Sequence, residues 1–299
     1  MRPVTVTVGP LATASANNIV TSQSVAAGAT AVFTTTAVSG GSYSSGFAAT
    51  GSTISGNLLT LGTITSGAPV IGQLVQGTGV LANTFIQAIG NSNSTWIVSR
   101  SQTVGSTTIY GAPVMTMDTP RRIQITSAGN DSSNTFTVVG TDWFSNPLTE
   151  SLAGGNGAAV YTASDFRTVT QIYPTSATAS TITVGTNGVA SSAWVRFDEY
   201  STFPTAIQAT VTTAMGTNQT YTIQQTLQDP NSPTNPVAPY LLTWINSADP
   251  AVVGSTISAQ SSYTYAPAFA KVTLNYGTPT ATTTGAVSAI FTQNASSSF

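Results

Sequence analysis

The sequence predicts an all-β protein of several domains: small β-sandwich or barrel modules, then a C-terminal antiparallel sandwich of immunoglobulin-like or jelly-roll type. Three observations carry this. Apolar residues alternate with Thr, Ser and Gln in short runs, as in Val4-Thr5-Val6-Thr7-Val8 and Tyr221-Thr222-Ile223-Gln224, the period of a strand with one buried and one wet face. Gly, Pro and Asn interrupt these runs before a helix could form. At 299 residues, the chain is longer than one small core usually organises.

Val4 to Val8 is the first strand, stopped by Gly9-Pro10. Leu11 to Gly46 is Ala, Thr, Ser and Gly, with a second strand expected at Ala31 to Thr36. Alone it buries too little apolar surface to offset its ordering entropy. It reads as an arm that docks on a later sheet or on a neighbouring subunit, or as a surface strand of the same domain. From Phe47 to Pro113 the texture changes: Gly46, Gly51, Gly56, Gly62, Gly67, Gly72 and Gly77 punctuate apolar residues. That spacing predicts very short strands with turns between them, in a small β module at 47–113 inserted into a domain made of 1–46 and 114–187.

In the second half of that domain, Ile123 and Ile125, the turn Gly129-Asn130-Asp131, then Phe136 and Val138 mark a hairpin. Phe166 to Tyr173 and Thr181 to Val184 complete it, and Gly185-Thr186-Asn187-Gly188 is the expected hinge. Residues 188–299 form the C-terminal sandwich, with strands at Trp194 to Tyr200, Ile207 to Thr213, Tyr221 to Leu227, Tyr240 to Ile245, Phe269 to Tyr276 and Ala286 to Thr292. Four prolines between Asp229 and Pro239 make a stiff, extended loop.

Only 5% of residues are charged, seven basic and nine acidic, against about a quarter in ordinary domains. The surface is therefore built of hydroxyls and amides, and its contacts should depend little on salt. Nucleic acid, which needs clustered cations to displace counterions, is not an expected partner. Cysteine and histidine are absent, which removes disulfides, thiol nucleophiles, Cys/His zinc sites and Ser-His-Asp triads. No apolar run approaches the length that spans a bilayer, and the first residues lack the apolar core of a signal peptide. Synthesis in a cytoplasm and no membrane partner are the expectations.

Few residue groups suggest chemistry. Asp198-Glu199 and Asp229 are the candidates for a glycosidase carboxylate pair, but strand neighbours point to opposite faces, and solvated or ion-paired carboxylates are the plainer reading. Gly129 to Asn134 is oxygen-rich yet lacks the carboxylates of a calcium loop, so it reads as a turn. No metal, cofactor or catalytic residue is assigned. Arg121-Arg122 is the main charge feature: adjacent in a strand, the two should face apart, one meeting an internal acid and one reaching a partner, or both solvated. Tyr240, Trp244, Tyr263, Tyr265 and Phe269 form an aromatic patch for sugar or protein contact, or else sandwich core and rim. Val4, Val6, Val8, Arg121 and Arg122 are the candidate partner-binding residues.

Three stretches carry a resemblance. RRIQITSAGNDSSNTFTVVGTD with NPLTESL and STITVGTNG, GSTISGNLLTLGTITSGAPVIGQLVQGTGVLANTFIQAIG, and TYTIQQTLQDPNSPTNPVAPYLLTWIN with SYTYAPAFAKVTLNYG resemble β modules of tailed-bacteriophage virion structural proteins. The resemblance covers most of the chain beyond residue 46. It implies a non-enzymatic capsid decoration or cement protein on the outer capsid surface, with the major capsid protein as partner and a homotrimer as its assembly. The alternative is a fibre or tail component that binds a host surface glycan or receptor through exposed aromatics.

Overall fold

Strand pairing divides the chain differently from its order in sequence. The computed structural model describes residues 3–198, 205–263, 265–276 and 284–293. It is nearly all β, and it separates into two compact units, residues 1–14 with 188–299 and residues 15–187. Val4–Val8 therefore belongs with the C-terminal sandwich and not with the domain that follows it. The reason is register: Val4 lies opposite Phe291 and Val8 opposite Val287, so the valines extend the apolar face of the strand Ala286–Gln293.

In the first unit, one sheet runs Val4–Val8, Ala286–Gln293, Thr205–Thr213, Ala259–Tyr263, antiparallel throughout. In the other, residues 189–191 pair with Phe269–Asn275, which pairs with Thr220–Thr226, which pairs with Ile245–Asn246. Ile207, Ala209, Val287, Ala289 and Phe291 face Tyr221, Ile223, Ala270, Val272 and Leu274 across one core. Alternation thus yields a sandwich with both inner faces apolar. The strands from Thr205 to Asn275 take the places of B, C, C′, E and F in an immunoglobulin sandwich, while Ala286–Gln293 sits where A would and residues 189–191 where G would. The buried Tyr276 hydroxyl accepts from the Leu11 N–H and donates to the Gly285 carbonyl, both at 2.9 Å, and so ties the chain after Pro10 to the sandwich.

The 15–187 unit contains two sheets. The first is ordered Pro147–Ala153, Thr135–Thr141, Phe166–Pro174, Val114–Ser127, then the strand beginning at Ile182. Val20–Gln23, Ser42–Ser44 and Ala159–Tyr161 add short pairings to it. The second sheet is ordered Thr63–Gly67, Phe47–Thr60, Thr95–Gly111, Leu74–Gly77, Thr84–Ile89, around its own core of Ile54, Leu59, Trp96, Val98 and Ile109. Leu74, Phe85 and Ala112 pack on Val139 and join the two sheets.

Several expectations fail for identifiable reasons. The 47–113 module is built on strands of 14 and 17 residues, Phe47–Thr60 and Thr95–Gly111, not on very short ones. Gly51 and Gly56 sit at φ 69° and 62° where the pairing register slips, so they bend a long strand without ending it. Ala31 to Thr36 forms no strand although Ala31 and Phe33 are buried: Ala31 donates to Ile172 and Thr34 to Ile19, two separate segments, so no ladder develops. The regular pairing falls instead on Val20–Gln23. Tyr240 to Ile245 is a 3₁₀ turn at Pro239–Leu241 followed by two paired residues, because the prolines remove donors. Ala259–Tyr263 is a further strand, whose polar AQSSY carries little apolar signal in the sequence. From Trp194 to Tyr200 only Val195–Arg196 pairs, and Glu199 and Tyr200 lie outside the described residues.

Gly185 to Gly188 is no loop, since these residues lie within the strand Ile182–Ser191. Gly185 is needed for close approach: a Cβ there would stand 1.8 Å from the Ser15 carbonyl oxygen. Gly105 has nothing within 4 Å of the same position. Gly185→Ala should destabilise the protein by about 2 kcal/mol or more, while Gly105→Ala should change it by about 0.5 kcal/mol or less. Denaturant midpoints of the two variants check this, and equal effects would refute the packing role.

Candidate interaction surfaces

Charge in the 15–187 unit is used internally. Arg121 is 2% exposed and grips Asp118 with both arms of its fork, Nε to Oδ1 at 2.6 Å and Nη2 to Oδ2 at 2.5 Å. It is turned inward and cannot itself reach a partner, which corrects the expectation for this residue. Arg122 faces away from it and approaches the buried Asp165 at 3.6 Å, keeping about a third of its side chain at the surface. Arg167 donates from Nη1 to the Met117 carbonyl and lies over the Trp143 ring at 5.4 Å. Burial lowers the Arg167 pKa, and the Asp118 charge opposes that shift. The Glu150 carboxylate accepts from the N–H groups of Ala163 and Ser164 at 2.6 and 2.9 Å. Tying most of the strand-borne ions to internal partners in this way leaves an outer surface made mainly of hydroxyl and amide groups, with Arg100 exposed.

The oxygen-rich loop behaves as a turn. Asp131 is buried and accepts from Ser127 Oγ at 2.5 Å and from the Ala179 N–H at 2.9 Å, and Asn134 Nδ2 lies at 3.4 Å. Protein donors thus occupy the carboxylate, and among the described residues no cluster of three acidic side chains could hold an ion.

A rigid aromatic turn stands at the hairpin tip between Thr135–Thr141 and Pro147–Ala153. Asp142 Oδ1 accepts from the N–H groups of Phe144 and Asn146 at 2.8 and 2.9 Å, and Oδ2 from Asn146 Nδ2 at 2.9 Å. Ser145 takes φ 62°, and its carbonyl accepts from Gln87 at 3.4 Å. Trp143 and Phe144 are thereby held 40% and 48% exposed. Sequence reasoning passed over them. The signal available was two adjacent aromatics inside an Asp-to-Asn-Pro turn, where nothing requires a core residue. A cleft of about 320 Å³ in the same unit is lined by Thr30, Phe33, Tyr43, Gln76, Thr170 and Gln171, without charge.

In the sandwich unit, the described aromatics among the five follow the core-and-rim alternative and do not form one patch. Tyr263 and Phe269 are buried, Tyr265 is almost wholly exposed, and the Tyr240 side chain lies outside the described residues. Trp244 instead stacks obliquely with Trp194 at 5.1 Å, Trp194 meets Phe269 at 6.0 Å, and the chain's only lysine, Lys271, lies over Trp244 at 4.7 Å. Lys271 is 5% exposed, so one face of the indole covers the cation. Burial also raises the pKa of Tyr263.

The described carboxylates among those considered for catalysis have structural partners. Asp229 Oδ2 accepts from Arg196 at 3.2 Å and Oδ1 from the Asn231 N–H at 2.9 Å, so it anchors a turn. Asp198 is tied through its backbone to the Gln293 amide, and Glu199 lies outside the described residues.

Val4, Val6 and Val8 share one face. Val8 is buried, while Val4 and Val6 pack on the core half-buried. Among the described residues, no strand lies on the other edge of Val4–Val8. No protein-family model, no curated protein and no solved structure matches the chain.

Asp131 supplies a pH test. Burial pushes its carboxyl up, but hydrogen bonds from Ser127, Ala179 and Asn134 together outweigh this, and the pKa falls below its ordinary value. Its contribution to stability is therefore present above roughly pH 4 and lost as pH falls through the native value. Asp131→Asn should be less stable than the parent at neutral pH and show a shallower loss between about pH 5 and pH 2. Parallel melting curves across that range would remove Asp131 as the source.

Proposed function

We propose that this chain is a non-enzymatic structural protein of a tailed-phage particle, which binds the outer capsid surface and stabilises contacts between capsid subunits. The observation that carries this reading is the disposition of charge. Arg121, Arg122 and Arg196 face carboxylates, Arg167 and Lys271 lie against indole rings, and Arg100 Nη1 donates to the Ala82 carbonyl at 2.6 Å. A partner meets mainly hydroxyls, amides, backbone edges and a few fixed aromatics, with Arg100 and Arg196 among the few charges at the surface. Such a surface suits a permanent contact with a protein lattice, where close fit supplies affinity and steering fields supply little. The resemblance to virion structural modules supports the same reading.

Within it, Trp143 and Phe144 are the anchor. An aromatic pair on a turn already fixed by Asp142 loses little conformational freedom on docking, and Trp beside Arg is the composition of an interface hot spot. The capsid protein would supply the receiving pocket. The second reading, a fibre or tail component that binds a host glycan, is favoured by the half-exposed Trp194 and Trp244 and the nearby amides of Gln224 and Asn246, which bond to each other at 3.1 Å.

Co-sedimentation with mature capsids lacking this protein, at low and high salt and with host envelopes in parallel, tests the proposal. Saturable pelleting with capsids alone, little changed by salt, is the expected result. The double variant Trp143→Ala/Phe144→Ala, with an unchanged melting temperature, should weaken it on the order of tenfold or more. Pelleting with envelopes and not with capsids would overturn the proposal in favour of receptor binding.

A further inference from the structure

We propose that two copies of this chain pair edge to edge through Val4–Val8, antiparallel about a twofold axis at Val6, so that two four-stranded sheets become one. The inference rests on the strand itself and stands whether or not the protein binds a capsid.

Among the described residues no strand pairs with this edge, and the strand itself carries no guard. Edge strands usually carry a charge, a proline or a bulge that prevents pairing. Val4-Thr5-Val6-Thr7-Val8 has none of these and pairs with Ala286–Gln293 in unbroken register. The core beneath it is also incomplete. Val287, Ala289 and Phe291 of the neighbouring strand are fully buried, whereas Val4 and Val6, on the same apolar face, remain half-exposed. One further strand carrying apolar residues on that face would cover their flanks.

The strand's own sequence is such a partner. Read antiparallel against itself about Val6, it sets Val4 opposite Val8, Val6 opposite Val6, and Thr5 opposite Thr7. Apolar pairs then meet on the core face and hydroxyl pairs on the wet face, both favourable cross-strand combinations. Backbone parity agrees. In an antiparallel strand every second residue directs its N–H and C=O to one edge, and the register about Val6 pairs residues of like parity throughout. A shift of one residue would set outward-directed backbone groups against inward-directed ones and place valine opposite threonine. A shift of two keeps the chemistry but shortens the overlap. Pro3 at one end and Gly9-Pro10 at the other confine the pairing to these five residues. No charge on the strand opposes the approach of a copy.

The contact is small. Five residues span about 17 Å, and such an edge falls at the low end of specific interfaces. The association should therefore be concentration-dependent in solution and be strengthened where many copies are held close together.

The cysteine-free sequence permits a covalent test with the purified full chain. Under mild oxidation, Val6→Cys should give a disulfide-linked dimer, because residue 6 meets its own copy. Thr5→Cys alone should give little dimer, and an equimolar mixture of Thr5→Cys and Thr7→Cys should give the mixed dimer. The threonine pair lies on the wet face, so it carries the test if Val6→Cys fails to fold. In sedimentation experiments, Thr5→Lys/Thr7→Lys should abolish self-association while leaving the melting temperature unchanged. Cross-linking that ignores position, or self-association unaffected by the two lysines, would overturn the proposal.

Discussion

Sheet pairing holds this molecule together because so little else is available to do so. With 5% charged residues and no cysteine, neither ion-pair networks nor disulfides can fix the relation of one segment to another. What remains is backbone hydrogen bonding along strands and close packing between sheets. The few ions present reinforce those two forces: the Arg121 fork closes on Asp118 within its own strand, and Asp131 clamps a turn by accepting from Ser127 and Ala179. Glycine takes part in the same economy. Gly185 and Gly140 let backbones approach where a Cβ would meet a carbonyl oxygen at 1.8 Å.

The fold class was legible because alternation of valine, isoleucine and threonine reports which side of a strand is buried. It does not report which strand lies alongside, and there the reading departed from the structure. Val4–Val8 has the pattern of any half-buried strand, and only three-dimensional pairing assigns it to Ala286–Gln293. The glycines of the 47–113 module misled for a related reason: a glycine at positive φ can end a strand or bend it, and the local sequence is the same in both cases. Ala31 and Phe33 are buried as their alternation indicates, yet burial without a continuous neighbour makes no strand.

Candidate surfaces were less legible than the fold. The facing-apart of Arg121 and Arg122 followed from strand geometry, but the depth of Arg121 depends on Asp118 three residues away, where the pairing register shifts. Trp143 and Phe144 escaped notice because adjacent aromatics in a turn look, in one dimension, like any pair of core residues. Their exposure follows from Asp142, whose carboxylate spends its acceptors on the turn and turns both rings outward.

The two-part make-up of the sandwich unit, residues 1–14 and 188–299, has a consequence for biosynthesis. Residues 15–187 leave the ribosome as one continuous stretch and can fold while translation continues. Val4–Val8 is made long before Ala286–Gln293, the strand that receives it. The sandwich therefore closes only once synthesis has passed Gln293, and until then Val4–Val8 is an uncharged, strand-forming segment without the strand it pairs with in the folded chain.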